Sequence, residues 1–190
     1  MHALYGFTFP GLWVAWMLGW YLASFRTKPA VRLESRASRL GHVVPLIIAG
    51  GLMASPVPSL GPIDARFIDV TRAWFWTCAA ITAAGLLFAV WARVHMGRNW
   101  SGMVTVKEDH TLVTSGPYAL ARHPIYTGLI VAFLGSALVL GNGRGMLAFL
   151  VATIALVRKL RLEEAWMQQT FGEAYAAYRA RVRAIIPFVI

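Results

Sequence analysis

The chain has 190 residues, 58% of them hydrophobic and only 14% charged, with a formal net charge of +10. A charged fraction so far below the usual quarter excludes an ordinary soluble domain, and the length suits one domain. The positive charge gathers at the ends of apolar runs, which argues against nucleic acid as its partner, and the single cysteine, Cys78, rules out an intrachain disulfide.

The first apolar run, Tyr5 to Phe25, contains no charge. Its positive residues follow the run instead of preceding it, so it reads as a retained span and not as a cleaved signal. The basic stretch Arg26 to Arg39 reads as a loop with some helix. Gly41 to Ile63 is the second span, with His42 its only titratable group, and Ser55-Pro56-Val57-Pro58 should bend or stop it. Ala73 to Ala92 is the third. Each approaches the roughly 20 apolar residues needed to cross a bilayer. Two shorter runs, Ile125 to Leu140 and Met146 to Val157, flank the glycine-rich turn Gly141 to Gly145. Beyond them Leu160, Met167, Phe171, Tyr175, Tyr178 and Val182 recur at helical spacing, an amphipathic helix suited to the membrane surface, with Gly172 interrupting it and Pro187 ending it.

The expected fold is therefore an all-α, polytopic membrane bundle of about five transmembrane helices; four and a re-entrant hairpin is the alternative. Fifteen of the 18 basic residues fall after the first, third and fifth runs, against Arg66, Arg72 and Arg144 elsewhere. The positive-inside rule then puts the N-terminus outside and the C-terminus inside, with the basic loops against anionic lipid. Residues 1–190 form one domain, with helices 1–3 in residues 1–96 and a catalytic half in 97–190.

Two polar islands interrupt this pattern. The first is His110 to Tyr126, HTLVTSGPYALARHPIY; the second, Arg158 to Tyr178, carries Glu163-Glu164 and two tyrosines. Ionisable groups at a membrane boundary point to function. With the hairpin turn centred near Gly143, His123 lies 20 residues before it and Glu163 lies 20 after. Equal rise per residue then brings the two to one depth on the cytoplasmic side, and pairs Tyr126 with Leu160. Ordinary roles also exist for each: Pro124 as a helix starter, and Glu163 and Glu164 in helical pairs with Lys159 and Arg161.

The string His110-Thr-Leu-Val-Thr-Ser-Gly-Pro-Tyr118, then Arg122-His-Pro-Ile-Tyr126-Thr-Gly128, resembles the integral-membrane methyltransferases of the isoprenylcysteine carboxyl methyltransferase family and the related phospholipid methyltransferases. Gly97-Arg98-Asn99-Trp100-Ser101, Glu163-Glu164, Phe171-Gly172-Glu173-Ala-Tyr175, Tyr178 and Pro187 extend the likeness over roughly 97–187. The resemblance implies a pocket for S-adenosylmethionine formed by His110, Leu112, Val113, Tyr118, His123, Pro124, Tyr126 and Glu163, without a metal. Carboxyl methyltransferases of eukaryotes place an arginine four residues before that glutamate to hold substrate. Here the position is Lys159, with Arg158 beside it, and lysine lacks the bidentate fork that suits a carboxylate.

Methyl transfer requires chiefly the alignment of donor and nucleophile. Glu163 suits the cofactor's ammonium, and Tyr118, Tyr126 and Trp100 offer aromatic faces to adenine or sulfonium. Arg122, Arg158 and Lys159 are candidates to orient a lipophilic small-molecule or prenylated acceptor whose tail stays in hydrocarbon. An amine acceptor would have to lose a proton, which gives Glu164 or His123 a further use. The phospholipid N-methyltransferase reading is the alternative. Rivals of another class are an NADPH-dependent membrane reductase and a haem or quinone protein using His42, His95, His110 and His123. Prokaryotic inner membrane is the expected location, with the site facing the cytoplasm, and endoplasmic reticulum the alternative.

Overall fold

A computed structural model of the chain describes residues 2–25, 30–54, 59–97, 100, 105–107 and 111–185. Five α-helices run through them: α1 (His2–Ser24), α2 (Arg36–Met53), α3 (Arg72–Met96), α4 (Pro124–Leu140) and α5 (Gly143–Arg181). Local chemistry sets their ends. The Ser35 hydroxyl accepts from the Ser38 amide and starts α2, and Thr71 does the same for α3 through Trp74. Pro124 occupies the first turn of α4, where its missing N–H costs nothing. Gly141, left-handed at φ 61°, stops α4, and Asn142 caps α5 by accepting from the Gly145 amide at 2.9 Å. The hairpin turn is thus shorter than the five residues expected.

Two differences from the sequence expectation have clear causes. The second helix begins and ends earlier than Gly41 to Ile63, because Ser35 offers a cap and the proline-rich stretch after Ala54 cannot continue it. Residues 55–58 lie outside the described residues, and Gly61–Asp64 forms a separate turn of 3-10 helix. The all-α expectation holds, with one addition: a small antiparallel ribbon of β1 (Ala30–Leu33), in the stretch read as loop, with β2 (Thr105–Lys107). Val31, Thr105 and Val106 are β-branched and suit a pleated pair.

Among the described residues α3 is long and apolar enough to cross a membrane, and α4 is a shorter apolar helix. Large apolar side chains point outward along four helices, among them Leu22, Ile47, Leu87, Val94 and Ile154. Inside, α4 packs between α3 and α5, and α2 leans on α5. The α3–α4 seam is close: a Cβ on Gly85 would meet the Gly128 carbonyl oxygen at 2.5 Å, and one on Gly135 would meet the Thr82 hydroxyl at 2.5 Å. The Trp13 indole N–H donates to the Ser136 hydroxyl at 3.0 Å and fastens α1 to α4.

Helix α5 is continuous to Phe171, where Gly172 (φ 51°, ψ −121°) breaks it. A conformation with positive φ suits glycine. The remaining segment turns back across the bundle's polar end, as the expected interruption required.

Candidate functional site

The polar end is built around the Arg122-His123-Pro124 corner. Ahead of it, residues Gly116–Ala119 make a turn of 3-10 helix, in which Gly116 sits at φ 59° with no room for a Cβ against the His95 ring. This turn buries Pro117 and Tyr118. The Tyr118 hydroxyl donates to the Met96 sulfur at 3.6 Å.

Across the corner stands α5. The ring nitrogens of His123 lie 3.6 Å from Glu163 Oε2 and 3.4 Å from Glu164 Oε1, and the ring stacks parallel to Tyr126, centroids 5.5 Å apart. The Tyr126 hydroxyl donates to Glu163 Oε1 at 2.6 Å. Lys159 Nζ approaches the same oxygen at 3.8 Å and lies 5.6 Å from the Tyr126 ring centre. Residues from the two islands therefore meet at one depth, His123 with Glu163 and Tyr126 beside Leu160 in one apolar cluster. Equal helical rise on either side of a tight turn explains it.

A second set of contacts closes the corner from outside. The Arg122 guanidinium donates to Glu164 through Nε at 2.7 Å and also through Nη2, and to the Val182 carbonyl through Nη1. The backbone amides of Arg122 and His123 donate to the Arg183 and Ala184 carbonyls at 2.8 and 2.9 Å. The Tyr178 hydroxyl donates to the Tyr118 carbonyl at 2.6 Å, and the Tyr175 hydroxyl to Glu164 at 3.3 Å. The Arg122 donors are thus directed to Glu164 and the C-terminal strap, not outward to an acceptor.

Charge follows from these partners. Burial alone would push the His123 imidazole down, but hydrogen bonds and attraction from both glutamates outweigh it and hold its pKa above the ordinary value. Burial opposes ionisation of Glu163 as well, yet His123, Lys159 and the Tyr126 hydroxyl hold it below the ordinary carboxylate range. Glu164, with burial again outweighed by His123 and Arg122, is lowered to about 2. Burial pushes Tyr178 up to about 12 and raises Tyr118 and Tyr175 as well. The centre holds ionised carboxylates among neutral phenols.

A cavity of about 260 Å³ opens on this centre. Its polar end is walled by Tyr118, His123, Pro124, Tyr126, Lys159, Glu163, Tyr175 and Tyr178, with Leu112 and Val113 beside them. Its other end is apolar and reaches Trp16 and Trp20 of α1, Leu46 of α2, Leu129 and Leu156. Of the residues singled out in the sequence, Leu112, Val113, Tyr118, Arg122, His123, Pro124, Tyr126, Lys159 and Glu163 share the cavity. Arg158 does not: it turns toward α2, donating to the Ser38 carbonyl at 3.0 Å across Gly41. His110, like Arg98, Asn99, Ser101 and Pro187, lies outside the described residues. Sequence reading did not assign the cavity's Trp16 or Trp20, nor the Arg122–Glu164 pair, and it gave His42 a role only in the haem or quinone alternative. His42 carried a signal, as the titratable group in an apolar run; Trp16 and Trp20 looked like any aromatic residues of a span.

A family model described as phospholipid methyltransferase matches residues 73–174. Among curated proteins, a protein-S-isoprenylcysteine O-methyltransferase of Schizosaccharomyces pombe is 39% identical over 101 residues, 52% of this chain and 43% of that protein. The rat protein-S-isoprenylcysteine O-methyltransferase is 34% identical over 119 residues, 57% of this chain and 42% of its own. The cobalt-zinc-cadmium resistance protein CzcN of Cupriavidus metallidurans is 31% identical over 115 residues, 59% of this chain and 51% of its own. The matched stretch spans about half the length, or less, of these relatives.

Proposed function

Since the chain belongs to the phospholipid methyltransferase family, we propose that it moves a methyl group from S-adenosylmethionine to a lipophilic acceptor at a membrane surface. The observation that carries this reading is the convergence of His123, Tyr126 and Glu163 in a cavity whose far end is apolar. A buried carboxylate, aromatic faces and exposed backbone beside them fit a molecule with an ammonium, a sulfonium and an adenine. The relatives' names, protein-S-isoprenylcysteine O-methyltransferase, point the same way.

The cofactor supplies a methyl group already activated by its sulfonium. Glu163, kept ionised by His123 and Lys159, meets its ammonium. Tyr118, Tyr126 and Trp100 give aromatic faces to adenine and sulfonium. Backbone groups at Leu112 and Val113 read the adenine edge, and His123 and Pro124 shape the corner; His110 joins this set by resemblance alone. Lys159 orients the acceptor's polar end while Trp16, Trp20 and Leu46 line the path of its tail, and Arg158, turned toward α2, stays outside the cavity. A prenylated cysteine carboxylate is the first acceptor to try. Arg122 holds the corner shut through Glu164.

The apolar side chains facing outward are matched to lipid. The positive-inside pattern orients the site toward the cytoplasm, in a prokaryotic inner membrane or, alternatively, the endoplasmic reticulum. Calorimetric titration of the purified protein with S-adenosylmethionine and with NADPH tests the donor. Binding of the first and not the second is expected, with Glu163→Ala weakening it by about tenfold or more, the loss of one charge-assisted contact. Selective binding of NADPH, or undiminished binding of S-adenosylmethionine by the Glu163→Ala and Tyr126→Ala variants, refutes the reading.

A further inference from the structure

The apolar end of the cavity stops at one level on four helices. Its farthest wall residues are Trp16 of α1, Leu46 of α2, Leu129 of α4 and Leu156 of α5. About one helical turn farther from the polar end stand Trp13, Ala49, Phe133 and Ala152, none of which lines it. These four belong to a separate apolar cluster that closes the bundle beneath the cavity.

Two rings fill this floor. Phe133 and Trp13 meet with centroids 4.8 Å apart. The Trp13 indole is pinned, because its N–H donates to the Ser136 hydroxyl at 3.0 Å and that hydroxyl donates to the Ala132 carbonyl at 2.9 Å. The cluster's other fully buried members, Ala49, Ala148 and Ala152, are small, so no other fully buried side chain there can take the rings' place. Above the floor, Trp16 stacks on Trp20 at 4.6 Å and Trp20 meets Trp100 edge-on at 5.2 Å, which walls the α1 side. Trp13 and Ala49 lie ahead of the residues that match the family, 73–174, so membership alone does not prescribe this floor.

The floor fixes a depth. From Lys159, at the acceptor's polar end, to Ala152 is seven residues of α5, about 10 Å. An extended single-bonded chain advances about 1.2 Å per bond, so that depth takes about eight bonds, the length of two isoprene units. We propose that the Trp13–Phe133 floor sets the tail length of the methyl acceptor and selects a single tail of geranyl length. This rests on the methyltransferase reading and deepens it. A longer tail must fold back or hold its polar end away from the donor. A lipid with two acyl chains sets both against a space that takes one.

The test uses the full chain in lipid nanodiscs with S-adenosylmethionine and four acceptors, N-acetylcysteine bearing an S-dimethylallyl, S-geranyl, S-farnesyl or S-geranylgeranyl tail. For the wild type, kcat/KM should peak at geranyl and fall about tenfold or more by geranylgeranyl, the lower range for misfit in an apolar pocket. Phe133→Ala opens the floor onto a layer of alanines. It should move the peak to farnesyl and raise the farnesyl-to-geranyl ratio about tenfold. Leu129→Phe fills the level above the floor and should move the peak to dimethylallyl, which keeps the test decisive where Phe133→Ala fails to fold. A ratio between tails is the readout because loss of stability alone lowers activity on all four alike. A flat wild-type profile, a peak at any other tail, or an equal change for all four tails in both variants overturns the inference while leaving the methyltransferase reading intact. Failure of the wild type to bind the donor or to methylate any of the four instead sinks the underlying reading.

Discussion

The α3–α4 seam and the α4–α5 corner share one helix and are held together by opposite means. Along the seam, Gly85, Gly128 and Gly135 remove side chains, so backbones touch, and the buried Thr82 and Ser136 hydroxyls donate to the Ala132 carbonyl without any charge being involved. At the corner, large charged side chains hold α4 and α5 apart, and each is tied to the next: Lys159 to Glu163, Glu163 to His123, His123 to Glu164, Glu164 to Arg122. Close packing gives rigidity without space, and a charged chain gives space at the risk of stranding a charge. The seam can thus act as the fixed wall against which the corner keeps a cavity open.

Breaking the chain of charge should have the largest effect. Arg122→Ala takes the guanidinium away from the Val182 carbonyl and from Glu164, which keeps only His123 and the Tyr175 hydroxyl close by, and losing one partner of a buried pair costs about 3–5 kcal/mol. Thermal unfolding in detergent should show this, with proteolysis moving to the segment after Tyr178. Filling the seam comes next. Gly128→Val places a Cβ 2.4 Å from the Gly85 oxygen, and overpacking of this kind costs about 1–3 kcal/mol. An unchanged melting temperature would mean that the seam is loose and the contrast misplaced.

Titration sharpens the comparison, because the seam has no charge to lose. The folded pKa of Glu164 is about 2 against an ordinary 4.5, so its stabilising contribution is full above pH 4.5 and lost as pH falls toward 2. His123 is shifted upward, so its contribution is full below its ordinary 6.5 and lost as pH rises through the higher folded value. The melting temperature should fall in both windows. Glu164→Gln should flatten the acid window and His123→Gln the alkaline one. The smallest effect is expected from Tyr126→Phe, which removes one hydroxyl donor to Glu163 and should cost about 1 kcal/mol, a few-fold in donor affinity by calorimetry.

Much of this arrangement was legible in the chain. Helix positions followed from apolar runs and caps, and the meeting of His123 with Glu163 followed from counting residues on either side of Gly143. The role of Arg122 was not legible, because its partners include carbonyls of residues 179 and 182, which no sequence pattern marks. Glu164 was read as a partner of Arg161 because helical spacing favours it; the corner won by offering a buried guanidinium with several donors. The ribbon escaped notice because its two strands are only four and three residues long and far apart in sequence.

The strap that crosses the corner is gripped by its main chain. The amides of residues 122 and 123 reach the carbonyl oxygens of Arg183 and Ala184, and the Thr127 hydroxyl donates to that of Ile185 at 2.7 Å. Every amino acid carries such an oxygen, so side-chain identity at the exposed position 183 is nearly irrelevant to closure, whereas Ala184 also packs against the core. Evolution is free to repaint that outer surface, for instance to suit a different lipid headgroup or neighbouring protein, without loosening the door behind it.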